Sequence, residues 1–320
     1  MESFKKEDFA NSNEIRWCPG CGDYAILTAL QKTLAILGRP PHQHVFVSGI
    51  GCAGRLPYYL NTYGLHTIHG RALPVATGLK IMRPELAVWV ITGDGDALSI
   101  GGNHLLHCLR RNVDLTILLI NNQVYGLTKG QFSPTSKKGQ VTKTSPDGTN
   151  QEPSNPLMIA LAAGASFVAR AIDKDINQLV EILKQAYNHA GCSFVEIYQD
   201  CHIFNPGAFD RFALKTNRHA QTIVLANDKP LIFGDQQALA LKNEQFICIN
   251  YHENDTAFIH DSNNYLNALR LAQLTFPEFP VPLGVYYTTK REVFSLVAPT
   301  TTKQMDDLPA LFHAKASWQV

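Results

Sequence analysis

The chain has 320 residues, of which 45% are apolar and 17% charged, with 28 Lys and Arg against 27 Asp and Glu. This composition is sufficient for a sizeable core and argues against a disordered chain. A net charge of +1 excludes broad electrostatic binding to nucleic acid or to an anionic membrane. The first residues lack a signal-peptide core, and no apolar run reaches the roughly 18 to 20 residues of a membrane span. A cytoplasmic protein that does not enter the membrane is therefore predicted.

Strands and helices alternate after a polar arm over residues 1–16. The predicted elements, in chain order, are a helix over 18–38, a strand over 44–51, a helix over 72–82, a strand over 86–96, a helix over 97–112, a strand over 113–122, a strand over 165–172, a helix over 175–190 and a strand over 193–200. Such alternation indicates parallel βαβ units. It predicts a doubly wound α/β fold with a mostly parallel sheet and with ligands at the carboxyl ends of the strands.

The alternation weakens after residue 210. We therefore predict an α/β domain over 1–210 and a small C-terminal extension over 211–320 that packs on the core and on a partner. TIVLAN and PLIFGD predict a hairpin, FICINY a further strand and residues 262–274 a helix. The prolines of residues 275–287 predict an extended segment along the surface.

A Gly-Asp-Gly motif and an Asn-Asn pair each follow a predicted strand. Because the carboxyl ends of neighbouring parallel strands meet at one edge, Asp94 and Asn122 are expected to point into one crevice. Carboxylate and amide oxygens suit Mg²⁺, and the glycines and a helix N-terminus suit a phosphate. The pattern predicts a magnesium and diphosphate site, whereas two ordinary turns are the alternative.

The seven cysteines do not suggest a disulfide framework in a large chain of this kind. Cys18 and Cys21 form a CxxC turn, and Cys52 and Cys201 each follow a predicted strand. Four thiolates suit either a [4Fe–4S] cluster or tetrahedral zinc, and their spacing does not decide between the two. The other three are interpreted as small buried apolar residues, namely Cys108, Cys192 and Cys248.

Five segments carry a recognisable signature: WCPGCGDY, SGIGCAGRLPYY, HTIHGRALPVATGLK, TGDGDALSIGGNH and NNQVYGLTKGQFSPTS. Together they resemble the β subunit of 2-oxoacid:ferredoxin oxidoreductases, in the 2-oxoglutarate branch of these thiamine-diphosphate enzymes. The resemblance is strong over residues 17–210 and is visible again over 260–287. It implies the thiamine-diphosphate-binding fold.

The resemblance also implies a set of site residues. Mg²⁺ would be held by the side chains of Asp94 and Asn122 and by the backbone carbonyl of Val124. One [4Fe–4S] cluster would be held by Cys18, Cys21, Cys52 and Cys201. The residues expected beside the cofactor are Ile50, Gly51, Cys52, Ala53, His69, Gly93, Gly95, Asp96, Gly126 and Leu127.

The implied reaction is the coenzyme A-dependent oxidative decarboxylation of a 2-oxoacid to an acyl-CoA and CO₂. Electrons would leave through the cluster to ferredoxin or flavodoxin. By family position Arg55 would face the substrate, where its guanidinium favours the second carboxylate of 2-oxoglutarate. Lys129 lies near the start of a long loop over 127–156. From there it could meet the phosphates of coenzyme A.

Thiamine-diphosphate enzymes also need a glutamate on the aminopyrimidine ring, from a domain for which this chain has no room. The resemblance therefore implies a partner α subunit that supplies this glutamate in an αβ or (αβ)₂ enzyme. One alternative is a homologue specific for pyruvate or for 2-oxoacids in general. Two others are a non-redox thiamine-diphosphate decarboxylase and a non-enzymatic α/β protein with zinc on the four cysteines.

Overall fold

The computed structural model describes residues 3–252 and 256–295. Within these ranges the helices are α1 (Asp23–Leu37), α2 (Ala72–Met82), α3 (Asp94–Leu98), α4 (Gly102–Arg111), α5 (Pro156–Ala162), α6 (Ile176–Asn188), α7 (Asp210–Ala213), α8 (Lys215–Gln221) and α9 (Tyr265–Ala272). Short 3₁₀ turns cover Lys6–Phe9, Pro41–Gln43 and Ala53–Tyr59. In the same ranges, no helix combines the length and the apolar character that crossing a membrane requires.

The strands form two sheets. They are β1 (His44–Ser48), β2 (Tyr63–His66), β3 (Ala87–Gly93), β4 (Thr116–Asn121), β5 (Phe167–Ile172), β6 (Ser193–Tyr198), β7 (Thr222–Leu225), β8 (Ile232–Phe233), β9 (Gln237–Lys242), β10 (Gln245–Asn250) and β11 (Val281–Thr288). The main sheet has eight strands in the order β2-β1-β3-β4-β6-β5-β11-β7, and the order β10-β9-β8 forms a small second sheet.

The six strands from β2 to β5 in the main sheet are mutually parallel, while β11 pairs antiparallel with β5 and parallel with β7. The central strands β1, β4 and β5 are buried along their whole length. Helices α1 and α6 contribute to the core on one face of the sheet, and α2, α4, α5 and α9 to the core on the other. The predicted doubly wound, mostly parallel α/β fold is confirmed.

The sheet changes direction at β1. The chain passes from β1 outward to β2 and then returns past β1 to β3 and β4. In doubly wound sheets, the crevice at such a switch point, outside the carboxyl ends of the strands, is where ligands bind. The residues that follow β1 and β3 are therefore in the position that this fold uses for a site.

The predicted helix over 97–112 is wrong in its bounds, because the structure has two helices there. α3 begins at Asp94, directly after β3, and ends at Leu98; α4 begins at Gly102. The interruption brings the backbone of Gly101 against Gly70. A Cβ on Gly70 would lie 2.6 Å from the backbone nitrogen of Gly101. Only a glycine pair permits this close approach.

The predicted hairpin of TIVLAN and PLIFGD is also wrong. β7 lies at the edge of the main sheet against β11, whereas β8 pairs with β9 in the small sheet. Pro230 opens the second segment and has no N–H to donate to a ladder with β7. The predicted strand of FICINY is confirmed as β10, and the helix over 262–274 as α9.

The segment over 275–287 does not run along the surface, contrary to prediction. It contains β11, which lies between β5 and β7 with Val281, Leu283 and Tyr286 buried. The open edge of β5 and the apolar residues of β11 outweigh its proline content. The predicted boundary at residue 210 stays a prediction, since residues on both sides of it build the main sheet.

Candidate functional site

A cavity of about 250 Å³ opens at the switch point between β1 and β3. Its walls contain every residue that the sequence predicted for the cofactor and for Mg²⁺: Ile50, Gly51, Cys52, Ala53, His69, Gly93, Asp94, Gly95, Asp96, Asn122, Val124, Gly126 and Leu127. Tyr125 and Thr128 add to the wall. The structure thus brings together the turns that follow β1, β3 and β4.

Asp96 ties these turns to one another. Its Oδ1 accepts hydrogen bonds from the backbone nitrogens of Gly70, at 2.7 Å, and Ile50, at 3.1 Å. The same oxygen lies 2.8 Å from Nδ1 of His69, and Oδ2 accepts from the Thr92 hydroxyl at 2.7 Å. Asp96 therefore fixes the position of His69 in the cavity wall.

The close packing around Asp96 explains the glycine at position 49. A Cβ on Gly49 would lie 1.8 Å from Oδ2 of Asp96, which is a prohibitive overlap. Gly49 thus serves the packing of the cavity wall, whereas Gly51 of the same turn has a φ of 123°, a backbone conformation that favours glycine.

Asp94 lies in the same wall and is 3% exposed. Its Oδ2 accepts hydrogen bonds from the hydroxyls of Ser133 and Thr135, each at 2.5 Å. Burial raises the pKa of the Asp94 carboxyl above its usual range, although the two hydroxyls act in the opposite direction. Burial disfavours the charged form of this carboxyl group, and a bound divalent cation would stabilise that form. The donor set therefore fits Mg²⁺.

The sequence reasoning missed Ser133 and Thr135, which belong to the loop over 127–156. The SPTS segment of that loop is their only signal in the sequence, and hydroxyl-rich loops are common. Ser136 of the same segment donates to the backbone oxygen of Gln123 at 2.6 Å. The loop therefore packs over the Asp94 side of the cavity.

A buried polar network lies behind the Asn-Asn pair. Oδ1 of Asn121 lies 2.9 Å from the Thr135 hydroxyl oxygen, and its Nδ2 donates to Glu196 at 2.8 Å. The guanidinium of Arg170 donates to Glu196 at 2.7 Å and to the hydroxyl of Tyr286 at 3.0 Å. The network crosses β4, β6, β5 and β11, so it links the site to the far half of the sheet.

A second cavity, of about 210 Å³, adjoins the first. All four cysteines predicted as cluster ligands line it, namely Cys18, Cys21, Cys52 and Cys201. They come from the turn before α1 and from the turns after β1 and β6. The two cavities share four wall residues, Cys52, Asn122, Gly126 and Leu127.

Gly126, in the wall that the two cavities share, lies beside two of these sulfurs. The position of a Cβ on Gly126 would be 3.5 Å from Sγ of Cys201 and 3.7 Å from Sγ of Cys52.

Burial raises the pKa of the Cys52 thiol to about 12, with a further contribution from the nearby Asp23 carboxyl. The pKa of the Cys21 thiol is also raised by burial and then by Asp23.

Over residues 3–252 and 256–295, no three side chains of His, Cys, Asp or Glu are arranged to hold a metal ion. The four thiols therefore line one cavity, but their arrangement in it is not that of ligands to one metal ion. Gln199, which the sequence reasoning missed, donates from Nε2 to Sγ of Cys21 at 3.3 Å. It is held at the end of β6, and no pattern in the sequence singles it out.

Arg55 and Lys129 line the cysteine cavity and not the first one. Nε of Arg55 donates to the hydroxyl of Tyr59 at 3.1 Å, and Lys129 is exposed. The structure thus places both predicted catalytic residues beside the four cysteines.

Of the remaining cysteines, Cys108 and Cys192 are buried as predicted, with their sulfurs 4.0 Å apart. The prediction for Cys248 is wrong, because this residue is exposed. It lies on β10, an edge strand of the small sheet, so one side of its surroundings is open.

Comparison with known proteins defines the class first. Residues 49–197 match the family described as thiamine pyrophosphate enzyme, C-terminal TPP binding domain. This range begins in the turn after β1 and ends in β6, so it contains the first cavity.

Relatives that align over most of their length define the family. A solved structure, 2-oxoglutarate:ferredoxin oxidoreductase from Magnetococcus marinus with 2-oxoglutarate, coenzyme A and succinyl-CoA bound, matches with a TM-score of 0.75 and 34% identity. The match covers 92% of this chain and 88% of that one. The 2-oxoacid:ferredoxin oxidoreductase subunit beta of Sulfolobus sp is 38% identical over 256 residues, covering 74% of this chain and 84% of the relative. The chain belongs to the family of 2-oxoacid:ferredoxin oxidoreductase β subunits, and the resemblance predicted from the sequence is confirmed.

The 2-oxoglutarate oxidoreductase subunit KorB of Mycobacterium tuberculosis is 55% identical over 230 residues, covering 72% of this chain. The chain spans about three fifths of the length of this relative and of similar subunits from Aeropyrum pernix and Saccharolobus solfataricus.

Proposed function

We propose that this chain is the β subunit of a 2-oxoglutarate:ferredoxin oxidoreductase. The complete enzyme would convert 2-oxoglutarate and coenzyme A to succinyl-CoA and CO₂ and pass two electrons to ferredoxin or flavodoxin. The observation that carries the proposal is the pair of adjoining cavities with four shared wall residues. One cavity has the donors for a magnesium diphosphate, and the other has four thiols.

In this proposal the first cavity binds thiamine diphosphate. Asp94, Asn122 and the backbone carbonyl of Val124 hold Mg²⁺, and the glycine turns approach the diphosphate. When bound, the cofactor supplies the carbanion chemistry that decarboxylation of a 2-oxoacid requires. The task of the chain is to hold the diphosphate in a fixed position, with Asp96 keeping the turns after β1 and β3 together.

The second cavity would hold one [4Fe–4S] cluster on Cys18, Cys21, Cys52 and Cys201. Oxidation of a 2-oxoacid releases two electrons, and a one-electron carrier must therefore be reached twice. Because Cys52 lines both cavities, a cluster ligand would be adjacent to the cofactor. The donor set, four thiols lining one cavity, fits such a cluster.

Arg55 is the basis for the choice of 2-oxoglutarate. Its guanidinium lines the cysteine cavity, and a planar fork of N–H donors matches a carboxylate. The second carboxylate distinguishes 2-oxoglutarate from pyruvate. Lys129, in the same wall, would approach the phosphates of coenzyme A.

The partner α subunit would supply the activating glutamate. Two large apolar side chains near the first cavity have no cover in the described chain, since Ile68 is 72% and Ile100 53% exposed. They flank His69 and the α3–α4 break, on the side from which a partner could reach the cofactor. The seven cysteines are free, which fits a reducing, cytoplasmic setting.

An anaerobic assay of the αβ complex tests the proposal. The complex is co-expressed, and viologen reduction is measured with 2-oxoglutarate or pyruvate, with and without coenzyme A. We expect coenzyme A-dependent reduction that is faster with 2-oxoglutarate. Faster reduction with pyruvate would favour a pyruvate or broad-specificity enzyme. The absence of iron would favour the zinc protein or the non-redox decarboxylase.

A further inference from the structure

Ser133 and Thr135 form a pair of hydroxyl donors to one carboxylate oxygen, which we call the hydroxyl clasp. We infer that the clasp positions the Asp94 carboxylate for a divalent cation and couples cation binding to closure of the loop over 127–156. The inference rests on the proposed function, in which Asp94 is a magnesium ligand. Ser133 and Thr135 are positioning residues, since they act through Asp94.

The contacts of the clasp are short and fully enclosed. Both hydroxyls lie 2.5 Å from Oδ2 of Asp94, the distance typical of an O–H···O⁻ bond to an ionised carboxylate. Ser133 is 3% exposed and Thr135 2%, so water does not compete for these donors. A carboxylate that would otherwise rotate about its side-chain bonds is held by two donors on the same oxygen.

The network behind the clasp limits its geometry. Arg170 and Glu196 form a buried ion pair, and Glu196 accepts from Nδ2 of Asn121. The amide of Asn121 is thereby turned so that its oxygen faces Thr135 at 2.9 Å. Thr135 has one hydroxyl hydrogen, and the charged, nearer acceptor is Asp94. The clasp is therefore built on the sheet as well as on the loop.

Hydrogen bonds within the loop fix the backbone around the clasp. The Ser133 nitrogen donates to the Ser136 hydroxyl at 2.8 Å, and the Ser154 nitrogen donates to the Pro134 oxygen at 2.8 Å. In this closed arrangement the loop holds the clasp against Asp94. If closure raises the affinity of Asp94 for a cation, the cation must stabilise closure by the same free energy.

The test uses Mn²⁺ as a probe of the metal site. The αβ complex is first freed of divalent cations and of thiamine diphosphate. Mn²⁺ is then added in steps in the presence of thiamine diphosphate, and the unbound Mn²⁺ is measured by electron paramagnetic resonance. Loss of a residue that orients a metal ligand typically weakens metal binding by about 10- to 100-fold, and we expect this loss for Thr135→Val. Thr135→Ser, which keeps the hydroxyl, is expected to restore affinity, and Ser133→Ala to weaken it.

Thr149→Val is the matched control. Thr149 is in the same loop and is 6% exposed, but its hydroxyl accepts from the Gln151 nitrogen at 3.2 Å. We expect its Mn²⁺ affinity to equal that of the wild type. Hydrogen exchange supplies the second readout: Mn²⁺ is expected to slow exchange over 127–156 in the wild type and in Thr149→Val, and to slow it less in Thr135→Val.

Wild-type affinity in both Thr135→Val and Ser133→Ala would overturn the inference, as would equal weakening in Thr149→Val. If Thr135→Val fails to fold, Ser133→Ala and Thr135→Ser decide the matter through the same titration. A wild-type complex that binds neither Mn²⁺ nor thiamine diphosphate would instead contradict the proposed function, so the two failures are distinguishable.

Discussion

Arg55 is the side chain on which the proposed preference for 2-oxoglutarate depends. It follows Cys52 by one 3₁₀ turn, and its Nε is held by the Tyr59 hydroxyl at 3.1 Å. This contact orients the guanidinium and leaves its terminal nitrogens for a ligand in the cysteine cavity. A charge at this position can distinguish substrates that differ by one carboxylate.

Arg55→Lys is expected to lower kcat/KM for 2-oxoglutarate by roughly 10- to 100-fold, because hydrogen bonds to charged groups contribute ~1.5–3 kcal/mol. Turnover of pyruvate, where it is detectable, should change little. The measurement is steady-state viologen reduction by the αβ complex with each substrate. An equal loss for both substrates would assign Arg55 a structural role. Arg16→Lys serves as the control, because Arg16 lines the same cavity but pairs with exposed Glu14.

Among the secondary-structure elements, the strands that alternate with helices along the chain could be predicted from the sequence. The neighbours of strands that pair with a segment far away in the sequence could not. β3, α3, α4 and β4 follow one another along the chain, and apolar runs and turns identify the two strands and the helical segment between them without knowledge of the rest. β7 and β11 are separated along the chain by three other strands and a helix, so their pairing depends on which sheet edge remains open. A sequence pattern predicts that a segment is extended, but it does not specify the strand that it joins.

The pairing of β5 with β6 carries a prediction about stability. Arg170 on β5 and Glu196 on β6 form an ion pair with side chains 6% and 0% exposed. Removing one partner of such a buried pair typically costs about 3 to 5 kcal/mol, since the other charge stays buried and unpaired. Glu196→Gln should therefore lower the thermal unfolding midpoint clearly, as followed by circular dichroism of the full chain.

The control for this change is Glu85→Gln. Glu85 pairs with Arg83 at 2.5 Å on the surface, with side chains 54% and 61% exposed. Exposed pairs contribute little, so no measurable shift is expected. Similar unfolding midpoints for Glu196→Gln and Glu85→Gln would contradict the predicted contribution of the buried Arg170–Glu196 pair to stability.

For the whole molecule, the essential feature is that two cavities meet at one edge of one sheet. The motif residues of both could be predicted, because glycine, carboxylate, amide and thiol groups after apolar strands are visible in the sequence. Ser133, Thr135 and Gln199 could not, because their contacts with Asp94 and Cys21 join parts of the chain that have no common motif. The structure supplies these contacts through the packing of the loop over 127–156 against Asp94 and through the position of Gln199 after β6.

We propose that four thiols hold an iron–sulfur cluster beside the thiamine site, and Cys201→Ala is the variant that tests this claim. The αβ complex is purified without exposure to air, its iron and zinc are counted, and its electron paramagnetic resonance spectrum is recorded after addition of 2-oxoglutarate. In the wild type we expect about four irons per β subunit and a reduced-cluster signal. Cys201→Ala should lose both, while Cys248→Ala, altered on the exposed edge of β10, should keep both. Zinc in place of iron, or an unchanged cluster signal in Cys201→Ala, would contradict the claim.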